Sequence, residues 1–192
     1  FDKVIEDAEK DNTVYNVING TDIPIKADKD KLTYGGYNMM GYIEIPDINV
    51  KYPVLEKVTK RSLEIAVAIF TGPGLNEKGN TVIVGHNYRN GVFFSELHEL
   101  EIDDIIYITD RNKTKMKYKV YNVYSTTSDD SRHYSRDTDG KREITLETCS
   151  DTGQTRVVVL AREATGEAEN KNNIFNQMLN GNSETTNNIN NN

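Results

Sequence analysis

From Gly41 to Leu160 the chain breaks into short extended pieces closed off by Gly, Pro, Asn or Asp, and this succession constrains the fold more than any other feature. Tyr42-Ile43-Glu44-Ile45 alternates apolar and polar and stops at Pro46, which has no backbone donor and so belongs at a strand end or a sheet edge. Val50 to Leu55 is a second extended piece, interrupted by Pro53. Thr81-Val82-Ile83-Val84 is an apolar run of the buried-strand kind that ends at Gly85-His86. Ile105 to Thr109, Met116 to Tyr124, Glu143 to Thr148 and Arg156 to Leu160 complete the set. Within Met116 to Tyr124 the apolar positions fall at Met116, Tyr118 and Val120, then at Tyr121 and Val123. That phase shift predicts a bulge, or a strand covered on both faces.

Helical spacing covers much less of the chain. Ser62 to Phe70, with Leu63, Ile65, Ala66 and Ile69 apolar, reads as a helix, and Phe93 to Leu100 as a short one. Thr71-Gly72-Pro73-Gly74 turns the chain between them. Many short strands with few helices predict a mainly β fold, a closed or nearly closed barrel. Residues 37–164 hold this pattern. Residues 1–36 read as a helical and linker segment: Phe1, Val4, Ile5 and Ala8 recur at helical spacing, Asn19-Gly20 is a break, and Lys26 to Gly36 is polar loop. Residues 165–192 are rich in Asn and too poor in apolar side chains to offset the entropy of ordering, so disorder is expected there. Ile174, Phe175, Met178 and Leu179 could form one amphipathic turn within it. Ser125 to Lys141 is a polar loop long enough to be functional.

The net charge of −7 argues against nucleic acid, whose binding rests on Lys and Arg contacts to phosphate. The acidity is spread along the chain and reads as a solvated surface. No stretch reaches the roughly 20 apolar residues of a membrane span, and no signal peptide is visible. The chain starts at Phe1 without Met, and the expectation is that a native N-terminus carrying a membrane anchor has been removed. Cys149 is the single cysteine, so an internal disulfide is excluded and a cysteine-based zinc site is disfavoured.

Three places carry chemistry: Gly85-His86-Asn87 after a strand, Thr145-Leu146-Glu147-Thr148-Cys149 ending a strand, and Arg156 opening the next. Ser150 to Thr155 is a short polar loop with turn chemistry. If it joins antiparallel neighbours, Cys149 and Arg156 meet at one sheet end. Ile144 and Leu146 then share one face, and Thr145, Glu147 and Cys149 the other. A cysteine nucleophile needs a nearby cation to favour its thiolate, a proton donor for the departing amine, and a hydrogen-bonding group for the developing oxyanion. Arg156 and His86 are of the right types. Taken singly, each has a plainer reading: a structural thiol, a satisfied loop histidine, and an arginine paired with Asp151 or Glu143.

The combination resembles the sortase family. TLETC followed by Arg after a short loop is similar to that family's TLxTC-then-Arg signature, and NTVIVGHN to its strand ending in Gly-His. GYIEIPDINVKYPVL, TGPGLNEKGN and GVFFSELHEL resemble its first strands, the turn before the histidine strand and the segment after it. The similarity runs from Gly41 to Arg162 in family order. It implies a closed eight-stranded β-barrel, with His86, Cys149 and Arg156 as the catalytic set. It also implies cleavage between Thr and Gly of LPXTG-like sorting signals through a thioacyl intermediate, at the outer face of a Gram-positive cell membrane. The partners implied are surface proteins bearing the signal and an amine acceptor such as a peptidoglycan precursor or a pilin lysine. Thr148 and Asn87 are the candidates for substrate contact. The pilus-building class often carries an early Asp-Pro-aromatic lid motif, and Asp22-Ile23-Pro24 lacks it, so a housekeeping-like or sporulation-associated class fits better.

No cofactor is expected. A calcium site could draw on Glu96, Glu99, Glu101, Asp103 and Asp104, but nothing fixes a ligand spacing, and solvated acids are the better reading, so no metal residue is assigned. His98 and His133 read as surface bystanders. The competing readings are a papain-like peptidase, which places Cys before His, an L,D-transpeptidase, which carries Ser-His-Gly before its Cys, and a non-catalytic surface β-barrel binding module with an inert thiol.

Overall fold

The computed structural model describes residues 32–164 in full and, for the backbone alone, two strands at 13–18 and 21–26. The helix expected over Phe1 to Ala8 and the Asn-rich segment after Thr165 lie outside the described residues.

Strands β1 (Thr13–Ile18) and β2 (Thr21–Lys26) pair antiparallel with Ile18 opposite Thr21, within the segment expected to be helix and linker. Asn-Gly between two β-rich runs is the strongest local hairpin signal, because both residues tolerate the positive φ of the tight turn. A second hairpin occupies part of the expected 26–36 loop: β3 (Thr33–Tyr34) folds onto β4 (Tyr37–Ile45).

The remaining strands are β5 (Val50–Leu55), β6 (Val67–Thr71), β7 (Gly79–Val84), β8 (Ile105–Asp110), β9 (Lys115–Thr127), β10 (Arg142–Cys149) and β11 (Thr155–Glu163). They hydrogen-bond in the order β4-β5-β6-β7-β10-β11-β9-β8, and β8 pairs back onto β4, which closes an eight-stranded barrel. β5–β6 and β7–β10 are parallel; the other barrel pairs are antiparallel. Closure brings β4 against β8 at Gly41. A Cβ there would lie 2.0 Å from the Thr109 carbonyl oxygen, so only glycine fits.

The expected helix over Ser62 to Phe70 is half right. Helix α1 (Lys60–Ile65) starts at a capping box in which the Thr59 hydroxyl accepts from Ser62 N and the Ser62 hydroxyl accepts from Thr59 N. It stops at Ala66, and Val67 to Thr71 is strand β6, where burial of Val67 and Ala68 between neighbours overrides the helical spacing. The helix expected over Phe93 to Leu100 shrinks to one 3-10 turn, Leu97–Glu99. Phe93 has φ of 54°, which no helix interior permits. The apolar positions reported burial rather than helix: Phe93, Phe94, Leu97 and Leu100 all enter the core.

The phase shift in β9 is a bulge. Leu160 pairs with Asn122 and Ala161 with Val120, which leaves Tyr121 as the extra residue. Ile43, Ile45, Ile83, Ile108, Ile144, Leu146 and Val159 fill the barrel interior. The outer face of β10 is covered as well. Residues 128–141, between β9 and β10, pack across it, and Glu143, Thr145 and Glu147 are buried beneath them.

Candidate active site

β7 and β10 run parallel, with Val84 opposite Glu147; carried two residues further, that register sets His86 opposite Cys149. The two strand ends are tied by three bonds. Gly85 N donates to the Glu147 carbonyl (3.2 Å), Thr148 Oγ1 donates to the Gly85 carbonyl (2.9 Å), and Asn87 Nδ2 donates to the Cys149 carbonyl (3.0 Å). Gly85 is required by this approach, since a Cβ would lie 2.8 Å from both Phe94 and Val67 side chains. Asn87 Nδ2 also donates to Asp151 Oδ1 (2.9 Å) and its Oδ1 accepts from Arg89 N (2.8 Å). The polar groups of Thr148 and Asn87, expected at the substrate, make hydrogen bonds within the protein that hold the ends of β7 and β10 together.

β10 and β11 are antiparallel, and Cys149 and Arg156 are register partners. The turn of Ser150 to Thr155 is closed by Ser150 N donating to the Thr155 carbonyl (2.9 Å) and Gly153 N to the Ser150 carbonyl (2.8 Å). Arg156 Nη1 lies 3.1 Å from Cys149 Sγ. Its Nε lies 3.2 Å from Glu147 Oε1, so its ion-pair partner is Glu147 rather than Asp151 or Glu143.

His86, Cys149 and Arg156 line one cavity of about 320 Å³, whose walls include Val58, Leu63, Phe70 and Tyr134. The His86 ring lies 5.1 Å from that of the exposed Tyr88, which in turn packs 5.8 Å from buried Phe93. Val58, Leu63 and Phe70 make one wall apolar, and the polar end concentrates a thiol, an imidazole and a guanidinium. A thiol, an imidazole and a guanidinium in one cleft are the group types that acyl transfer uses.

His98 is exposed, its Nδ1 3.2 Å from the Ser95 carbonyl. His133 is not at the surface as expected. It is 2% exposed, with Nε2 2.8 Å from Glu147 Oε2. A histidine flanked by Arg132 and Tyr134 in a polar loop carries no sequence sign of burial; the loop's return over β10 is a tertiary event. Among the acidic residues considered for calcium, Asp103 pairs with Lys119 (3.4 Å) and Asp104 caps Glu101 N (2.8 Å). Glu96, His98 and Glu99 bring ligand atoms within 4.8 Å of one another, with Glu99 and His98 exposed, as a solvated face would.

Comparison with known proteins bears on the family and the fold. The family model described as the sortase domain matches residues 43–164. Sortase A of Bacillus anthracis is 32% identical over 144 residues, which are 74% of this chain and 67% of that protein. The structure of sortase A from Corynebacterium diphtheriae superposes with a TM-score of 0.62 at 26% identity, over 68% of this chain and 63% of the other. Clostridium perfringens sortase C, solved with the C-terminal cell wall sorting motif, gives 0.60 at 26%, over 67% and 72%. The chain belongs to the sortase family, whose members are cysteine transpeptidases of the Gram-positive cell surface.

Proposed function

We propose that this chain is a transpeptidase that cleaves LPXTG-like sorting signals between Thr and Gly and transfers the new carboxyl end to an amine. The observation that carries the proposal is the 3.1 Å approach of Arg156 Nη1 to Cys149 Sγ in a cleft that His86 also lines. The Cys149 thiolate attacks the Thr carbonyl carbon, and Arg156 donates to the oxyanion as charge builds on it. As the tetrahedral intermediate collapses, the C–N bond to Gly breaks and protonated His86 gives its proton to the leaving amine. A thioester between Cys149 and the sorting-signal Thr remains. An incoming amine then loses a proton to His86 and attacks the thioester, which releases the Cys149 thiolate and completes the new amide. Acceptors of fitting chemistry are the free amine of a peptidoglycan precursor or a pilin lysine. The site of action is the outer face of the cell membrane; no helix among the described residues is long and apolar enough to cross one.

The experiment is a library of sorting-signal peptides mixed with an amine acceptor, the products read by mass spectrometry. Transpeptidation in the wild type and none in Cys149→Ala is the expected result. Binding without turnover would instead support a binding module with an inert thiol.

A further inference from the structure

The nitrogen that faces the sulfur accounts for only part of the polar contacts of Arg156. Its Nε forms an ion pair with Glu147 Oε1 at 3.2 Å, and the other oxygen of that carboxylate is hydrogen-bonded to His133 Nε2 at 2.8 Å. Glu147 and His133 are 6% and 2% exposed, so this contact is buried out of water. Charge-assisted bonds of that kind are short and directional. His133 Nδ1 is buried and has no hydrogen-bond partner among the described residues. The tautomer follows from that: a hydrogen on Nε2 meets the carboxylate and leaves Nδ1 only a lone pair to bury. A hydrogen on Nδ1 would bury an unpaired donor and set two lone pairs against each other at 2.8 Å.

The loop that delivers His133 is itself fastened. Arg136 Nη2 donates to Asn80 Oδ1 (2.9 Å) and to Thr145 Oγ1 (3.1 Å), and Asn80 Nδ2 donates to the His133 carbonyl (3.0 Å). The His133 ring packs edge-on against Tyr134, 4.3 Å between centroids. Burial, then a hydrogen bond to Glu147, pushes the Tyr134 phenol up to about 12, so it stays a neutral donor. A buried histidine, a buried glutamate and a fastened loop thus converge on one guanidinium. A planar group has two ways to turn about its Cδ–Nε bond, and fixing Nε decides where Nη1 points.

We propose that Glu147 and His133 are positioning residues: His133 orients the Glu147 carboxylate, which holds the Arg156 guanidinium in the plane that aims Nη1 at Cys149. This rests on the transpeptidase reading above.

The test combines single-turnover acylation with a spectroscopic reading of Arg156. In Glu147→Gln the remaining neutral amide can serve Arg156 or His133 but not both. Acylation is expected to fall about 10-fold, the value of losing a charge-assisted bond, with KM within about twofold of wild type. His133→Phe removes the donor and is expected to cost several-fold, and His133→Gln, which keeps a donor, to recover most of it. In an Arg156→Ala background neither Glu147→Gln nor His133→Phe should cost more than about twofold, because both act through the missing group. The Arg156 Nε–H resonance, assigned by its loss in Arg156→Ala, should exchange slowly in the wild type. It should broaden in Glu147→Gln and His133→Phe and return in His133→Gln. This reading needs no substrate, so it separates failure of the relay from failure of the transpeptidase assignment. An unchanged Nε–H signal in Glu147→Gln overturns the proposal, and so does a full acylation loss that persists in the Arg156→Ala background. Wild-type acylation by Arg156→Ala would remove the arginine's catalytic role and the relay's purpose together.

Discussion

Cys149 and Arg156 sit opposite each other in the last two strands of the barrel, and the arginine reaches the sulfur with one nitrogen while a second is bound to Glu147. One guanidinium meets both demands because its donors lie in a fixed fork. An ammonium is a single point and cannot hold the carboxylate and face the thiol in the same geometry. Arg156→Lys is therefore expected to fail nearly as badly as Arg156→Ala, each losing about 10²–10³ in single-turnover acylation. A lysine variant within a few-fold of wild type would show that charge alone suffices.

His86 follows β7 and shares the cavity with Cys149. His86→Ala is expected to lose about 10²–10⁴ in kcat, the usual worth of positioned acid–base catalysis. The fold should be unchanged by circular dichroism, since the ties between the strand ends run through Gly85, Asn87 and Thr148. A loss below tenfold would leave the proton transfer to another group.

Glu143 is buried on the outer face of β10, where Arg136, Arg162 and the Tyr121 hydroxyl bind its carboxylate. Burial alone would raise its pKa, but these three partners outweigh burial and hold it below the usual carboxylate range. The unfolded chain then takes up the proton first as pH falls. The stabilisation is fully present above about pH 4.3, the unfolded value, and is lost as pH drops toward the folded one. Urea midpoints measured from neutral to acid pH should fall through this range in the wild type and fall less steeply in Glu143→Gln. Equal slopes would remove Glu143 from the acid response.

Gly41 stands where the barrel closes. Its φ of +155° and the 2.0 Å between a built Cβ and the Thr109 carbonyl oxygen leave an alanine only backbone movement as an escape. Gly41→Ala is expected to cost about 2–4 kcal/mol in urea unfolding. A loss under ~0.5 kcal/mol would mean that β4 and β8 meet with more room than the pairing shows.

The chain's own pattern carried much of the architecture. Short apolar runs separated by turn residues specify strands because alternation and β-branching are local properties, and so the barrel strands other than β6, the β9 bulge and the strand ends bearing His86, Cys149 and Arg156 were legible. Local spacing failed where burial imitates a helix. Leu63 to Ile69 and Phe93 to Leu100 have apolar residues at helical intervals, yet half of the first is strand β6 and most of the second is irregular. Asn19-Gly20 did carry a local hairpin signal that the helix-and-linker reading passed over.

Tertiary structure alone decided the surroundings of Arg156. Glu147 was legible as sharing a face with Cys149, but only the return of residues 128–141 over β10 buries it and sets His133 against it, 14 positions away in sequence. The same return puts Arg136 onto Glu143 and Asn80, the latter 56 positions away. Such pairings form because buried charges and amides must find partners once water is excluded. Which partners they find depends on how the barrel closes, and no local stretch of sequence holds that information.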